Sequence, residues 1–222
     1  MSLPRAGALL AALLAALMCS IVSYPVALAR DPPPAVSHDG LKLASSKNID
    51  LLYIREGATL AGYRKVMLDP VQVAFDKSWS KERRDIRKDE RERIRNGLAE
   101  EFFEVFTEVL QEDGGYEVVT EAAPDVLRVT AAIVDLYVTA PDIATAGRTR
   151  SFAVSAGHMT LIAELRDTES GAILARVADY KEASNSGYLE WTTRASNTAD
   201  ARRILKSWAG ALRKGLDSAR GA

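Results

Sequence analysis

The chain has 222 residues, with 29 Lys and Arg against 30 Asp and Glu, and a single cysteine. A net charge of −1 excludes the basic surplus expected of a nucleic-acid binder. One cysteine, Cys19, excludes an internal disulfide framework, so the fold must rest on core packing.

The first segment stands apart in composition. Arg5 is its only charge before Arg30, Ala6 to Met18 are unbroken apolar or small residues, and a polar break leads to Ala27-Leu28-Ala29. This order describes a secretory signal peptide over residues 1–29, cleaved after Ala29 with Ala27 and Ala29 as the small residues of the site. Export to a bacterial periplasm is the expectation. Three alternatives stand beside it: a lipoprotein acylated at Cys19, an uncleaved membrane anchor, and a helix buried in the mature fold. Met18 and Leu17 occupy positions where lipoprotein processing wants a small residue. The apolar run is also shorter than the roughly 20 residues that span a bilayer.

Residues 30–45, with Pro32 to Pro34 among polar and small residues, read as an extended Pro-rich linker, which places a single folded domain at 46–222. Leu51-Leu52-Tyr53-Ile54 is a first apolar strand. Arg64 to Leu68 reads as a second, stopped by Asp69-Pro70, and Val71, Val73 and Phe75 alternate as a third. Residues 81–113 carry Ile94, Leu98, Phe102, Val105 or Phe106, Val109 and Leu110 at helical spacing, and Gly114-Gly115 end the pattern. Tyr116 to Val119 is a short strand. Val126 to Val138 is a long one, whose apolar residues change parity near Asp135, the mark of a bulge. Residues 159–166 and 172–180 form a hairpin around the turn Asp167 to Gly171. Residues 184–197 read as a polar loop, and a last helix over about 198–219 aligns Ile204, Leu205, Trp208, Leu212 and Leu216, with Asn197 or Thr198 as its cap. The expected class is α+β: a two-layer sandwich in which a mixed, mostly antiparallel sheet is covered on one face by two amphipathic helices.

The motif Gly62-Tyr63-Arg64-Lys65-Val66-Met67-Leu68-Asp69-Pro70-Val71 with Val73, Phe75 and Trp79 resembles the opening of the bacterial domain-of-unknown-function family 3313. So do Pro124-Asp125-Val126-Leu127-Arg128-Val129, Ala156-Gly157-His158-Met159-Thr160-Leu161, and Glu164-Leu165-Arg166-Asp167 with Gly171 and Ala175-Arg176. The resemblance spans about residues 40–220. It implies a secreted or lipid-anchored envelope protein of Gram-negative bacteria and brings no activity with it.

The residues offer little chemistry. The two histidines, His38 and His158, lie far apart in sequence, no His-Glu-x-x-His is present, and no metal, cofactor or catalytic site is expected. Asp135, Glu164, Asp167 and Asp179 converge only if their strands are neighbours with matching faces; otherwise they are solvent-face and turn carboxylates. Ser155 stands three residues from His158, a spacing that puts the two on opposite faces of a strand. The mixed charges of Lys81 to Arg95 suit a solvated helix face laced with weak ion pairs, beside the alternative of a surface that docks on anionic lipid or an acidic partner. Three aromatics remain as candidate interaction residues: Trp79 after a strand, and Tyr188 and Trp191 in the polar loop. Each is weighed against a role in capping the core.

The reading is therefore a non-enzymatic exported envelope protein acting through contacts with an unidentified envelope protein. Membrane association is expected only if Cys19 is lipidated or the signal stays uncleaved. A module binding a small apolar ligand or lipid between helices and sheet is one alternative, and a hydrolase using His158 with strand carboxylates is another.

Overall fold

The computed structural model describes residues 32–138, 152–153, 157–183, 190–191 and 194–221. The predicted signal segment, with Ala27, Ala29 and Cys19, lies outside them. In chain order the strands are β1 (Lys42–Ala44), β2 (Leu51–Ile54), β3 (Lys65–Leu68), β4 (Gln72–Phe75), β5 (Glu117–Val119), β6 (Val126–Tyr137), β7 (Phe152–Ala153), β8 (His158–Asp167), β9 (Ile173–Glu182) and β10 (Glu190–Trp191). The helices are α1 (Lys77–Glu82), α2 (Lys88–Gln111) and α3 (Arg194–Arg220).

Eight strands form one sheet in the order β1-β2-β9-β8-β6-β3-β5, with β4 beside the second half of β6. The pairs from β1 through β6 are antiparallel, whereas β3, β4 and β5 join in parallel. The expected α+β architecture with a mixed, mostly antiparallel sheet is the one observed. β3 and β4 run along the same neighbour and are separated by Asp69-Pro70-Val71. Asp69 still donates its N–H to the Val129 carbonyl at 3.0 Å, and Pro70, which has no N–H, stands where the ladder is interrupted.

Alternation along β6 sends Leu127, Val129, Ala131 and Ile133 to the helix side. Asp135 then takes φ +52°, the register with β8 shifts between Val134 and Tyr137, and Leu136 becomes the next buried residue. This is the bulge that the parity change predicts. Against this face pack Leu98, Phe102, Val105, Phe106 and Leu110 of α2, and Ile204, Leu205, Trp208 and Leu216 of α3. Each such side chain contributes about 1.5–3 kcal/mol by burial. Arg202 bridges Glu101 and Glu108 between the helices, and Arg213 donates to the Val109 carbonyl at 2.8 Å and the Glu112 carbonyl at 2.6 Å, closing the end of α2.

Three expectations are corrected. The predicted helix over 81–113 is two helices: Asp76 caps α1 by accepting from the N–H groups of Ser78 and Trp79, and the chain bends through Arg83 to Arg87 before α2 begins. The last helix starts at Arg194, so Asn197 and Thr198 lie inside it rather than at its cap. The domain begins at Pro34, not at 46. Residues 34–44 are not a free linker, because Leu41 is fully buried, the Tyr53 hydroxyl donates to the Pro34 carbonyl at 2.8 Å, and Arg176 holds the Asp39 carboxylate at 3.0 and 2.8 Å.

Candidate interaction surface

Trp79 is fully buried. The Asp76 cap aims its ring inward, where it stacks on Phe75 at 4.3 Å and donates Nε1–H to the Val138 carbonyl at 2.8 Å. The Arg91 guanidinium lies 5.0 Å from the ring centroid. Trp79 caps the end of the core and offers no ring surface to a partner, so it is withdrawn as an interaction residue. Tyr188 lies outside the described residues. The backbone of Trp191 is placed in β10, opposite Phe152 of β7.

A different surface is exposed. The helices cover one face of the sheet, and the register defines what points out of the other. Thr160 faces Tyr180, Ile162 faces Ala178, and Glu164 faces Arg176 across β8 and β9. On the other side the same residues meet Val134, Ala132 and Thr130 of β6. Ile162 is 41% exposed and Tyr180 46%. At one end a row of rings crosses three strands: Tyr137 stacks on His158 at 5.2 Å, and His158 meets Tyr180 at 5.5 Å.

The other end is ionic. Arg176 donates to both Asp39 and Glu164, and Arg166 also bonds Glu164. The Arg176 and Ser37 hydrogen bonds hold the Asp39 carboxyl well below the usual carboxylate range. Burial works against ionisation of Glu164, but its bonds to Arg176 and Arg166 outweigh it and keep that pKa low too. Asp69, bonded to Arg128 and Thr130, is lowered in the same way against the opposing effect of burial. The face thus runs from an aromatic end through an apolar middle at Ile162 to a fixed, charged end at Glu164 and Arg176.

The four strand carboxylates do not converge. Glu164 lies on the open face, Asp135 is exposed at the bulge, and Asp167 accepts from the Ser170 N–H at 2.7 Å in its turn and from the Tyr63 hydroxyl at 2.8 Å. Asp179 points the other way and is 1% exposed. It accepts from Trp208 Nε1 at 2.8 Å and from the Asp50 N–H at 2.9 Å, and Lys181 Nζ lies 3.0 Å away. A solvent-face reading of Asp179 is thereby corrected: the α3 stripe brings a tryptophan that needs an acceptor. Sequence reasoning missed Tyr137 and Tyr180, because only the strand register aligns them with His158. Alternation puts each opposite the buried positions of its own strand, but which strands pair is not written in it.

The family model described as "Protein of unknown function (DUF3313)" matches residues 34–212. The chain belongs to this family. The start of the DUF3313 match coincides with the start of the packed unit at Pro34. No curated protein matches the sequence significantly. Among solved structures, the DUF3313 chain is similar to the PelC dodecamer from Paraburkholderia phytofirmans at 12% identity and a TM-score of 0.38, over 73% of this chain and 98% of that one. It is similar to a DUF330 protein from Xanthomonas campestris at 10% identity and a TM-score of 0.38, over 75% and 90%. At these values no property of either protein passes to this chain.

Proposed function

We infer that this protein is exported to the cell envelope and works there by binding another envelope protein through the open face of its sheet, without catalysing a reaction. The observation that carries the reading is the exposed patch around Ile162 and Tyr180, bordered by the Tyr137–His158 stack and the Asp39–Arg176–Glu164 ion pairs. Large apolar side chains grouped on one face of an otherwise charged surface mark contact sites. Export rests on the charged start, apolar core and small-x-small order of residues 1–29. The non-enzymatic reading is supported by His158, whose ring lies between two tyrosines, and by carboxylates engaged in ion pairs, turns and the core.

Cell fractionation with intact-mass measurement tests the address. A mature chain beginning at Arg30 in the periplasm is the expected result, and a chain beginning at acylated Cys19 makes the protein a membrane-anchored lipoprotein with the same contact face. A cytoplasmic chain retaining residues 1–29 refutes export. Replacing Ile162 and Tyr180 by Lys tests the face: loss of a co-purifying envelope partner with an unchanged melting temperature is expected, and retention of that partner refutes it.

A further inference from the structure

Between α3 and the helix-side face of β2, β9 and β8 lies a cavity of about 520 Å³. This is within the ~300–1,000 Å³ of small-molecule sites. Its floor is core: Phe106, Val129, Leu161, Ala163 and Trp208. Leu52, Ile54 and Leu60 close one side, and Ala211, Gly215 and Ala219 of α3 form the roof at i, i+4 and i+8. A Cβ built on Gly215 meets nothing within 4 Å. A glycine in a helix interior costs about 1 kcal/mol relative to alanine, and at this exposed position no close packing calls for it; the missing side chain leaves the mouth of the cavity open.

The charge of the lining is as selective as its shape. Lys214, next to Gly215 and exposed, is its sole ionisable residue, and no carboxylate contributes. Lys214 makes no hydrogen bond or ion pair among the described residues. A second cavity, of about 440 Å³ between α2, α3 and the ends of β6 and β8, has a mostly acidic wall, with Glu90, Glu100, Glu101, Glu104 and Asp200 beside Arg93 and His158. Carboxylates outnumber cations there, whereas the cavity under α3 has Lys214 alone.

We propose that the cavity under α3 binds a single-chain anionic amphiphile, its hydrocarbon tail against Leu161, Ala163 and Trp208 and its head group at the Lys214 ammonium. The tail removes from water the apolar walls that neither helix nor sheet fills, and the ammonium supplies one charge-assisted contact at the mouth. Nothing in this assignment depends on the contact face on the other side of the sheet.

The test titrates the delipidated full chain with the fluorescent fatty acid cis-parinaric acid, below its micellar concentration. Saturable fluorescence enhancement at one site per chain is expected. Gly215→Leu abolishes it, because the new side chain occupies the roof, and this variant melts no lower than wild type since leucine is the better helix former. Lys214→Glu weakens the acid roughly tenfold, about one charge-assisted contact, and leaves the methyl ester of the same chain unchanged. The proposal is overturned if the wild type gives no saturable signal. It is overturned if Gly215→Leu binds equally well, which would put the probe elsewhere, such as on the apolar residues 6–18. A destabilised Gly215→Leu also overturns it, because the open space above the cavity would then not exist.

Discussion

The buried carboxylate of Asp179 is the most exacting point in the packing of α3 on the sheet. At 1% exposure it satisfies the Trp208 indole N–H at 2.8 Å and the Asp50 backbone N–H at 2.9 Å, while Asp50 in turn accepts from the Tyr180 N–H at 2.9 Å. Asp179→Ala leaves both of the first two donors without an acceptor. Hydrogen bonds to a charged group are each worth about 1.5–3 kcal/mol, and a stranded buried donor costs about 1–3 kcal/mol. Part of this is returned because the carboxylate no longer has to be desolvated. The net expectation is a loss of about 3 kcal/mol, or roughly 6–12 °C in melting temperature for a chain of this size. Asp179→Asn keeps one acceptor oxygen but turns an amide NH2 toward the other donor, and costs about 2 kcal/mol. Urea denaturation followed by circular dichroism measures these values. Combining Asp179→Ala with Trp208→Phe isolates the pair, with an expected coupling of about 1.5–3 kcal/mol. A loss below about 1 kcal/mol for Asp179→Ala, or strict additivity of the two changes, would refute the view that this bond holds α3 to β9.

Further predictions concern the other contacts. Trp79→Ala removes a fully buried ring and is expected to destabilise by about 3–5 kcal/mol, whereas Trp79→Phe keeps the stack on Phe75, loses the bond to Val138 and costs about 1 kcal/mol; denaturant midpoints report both, and partner capture by Trp79→Phe should match wild type. Asp39, Glu164 and Asp69 titrate below their ordinary values in the folded chain. Because folding lowers these pKa values, their stabilisation is complete above about pH 4.5 and is lost as pH falls through the folded values. Urea melts from pH 7 to pH 2 should show this decline, and Arg176→Gln should make it shallower; an unchanged slope would contradict the assignment. The same variant frees Asp39, so limited proteolysis should cut within residues 34–44 more readily than in wild type.

Much of the fold was legible because period and punctuation were strong. The alternation in β6, its parity change at Asp135, and the Asp167 to Gly171 turn are each determined by residues adjacent in sequence, and the structure has them where they were read. Errors arose where distant partners decide. Residues 34–44 look like a linker by composition, yet Arg176, more than a hundred residues away, fixes Asp39. Trp79 looks like a loop aromatic until Phe75 and the Val138 carbonyl are placed around it. The proposed contact face was hidden for the same reason: Tyr137, His158 and Tyr180 belong to three strands, and only register makes them a row. Asp179 read as a surface carboxylate because strand alternation does not reveal that α3 brings Trp208 above it.

The central claim, that an exported protein engages a partner through the open sheet face, is tested most directly by site-specific photocrosslinking in intact cells. A benzophenone amino acid is placed at Ile162 or Tyr180 on that face, and at Phe103, exposed on α2, as the control. The account predicts one discrete envelope-protein adduct from positions 162 and 180 and none from 103. Absence of an adduct from the sheet face, or the same adduct from all three positions, would contradict it.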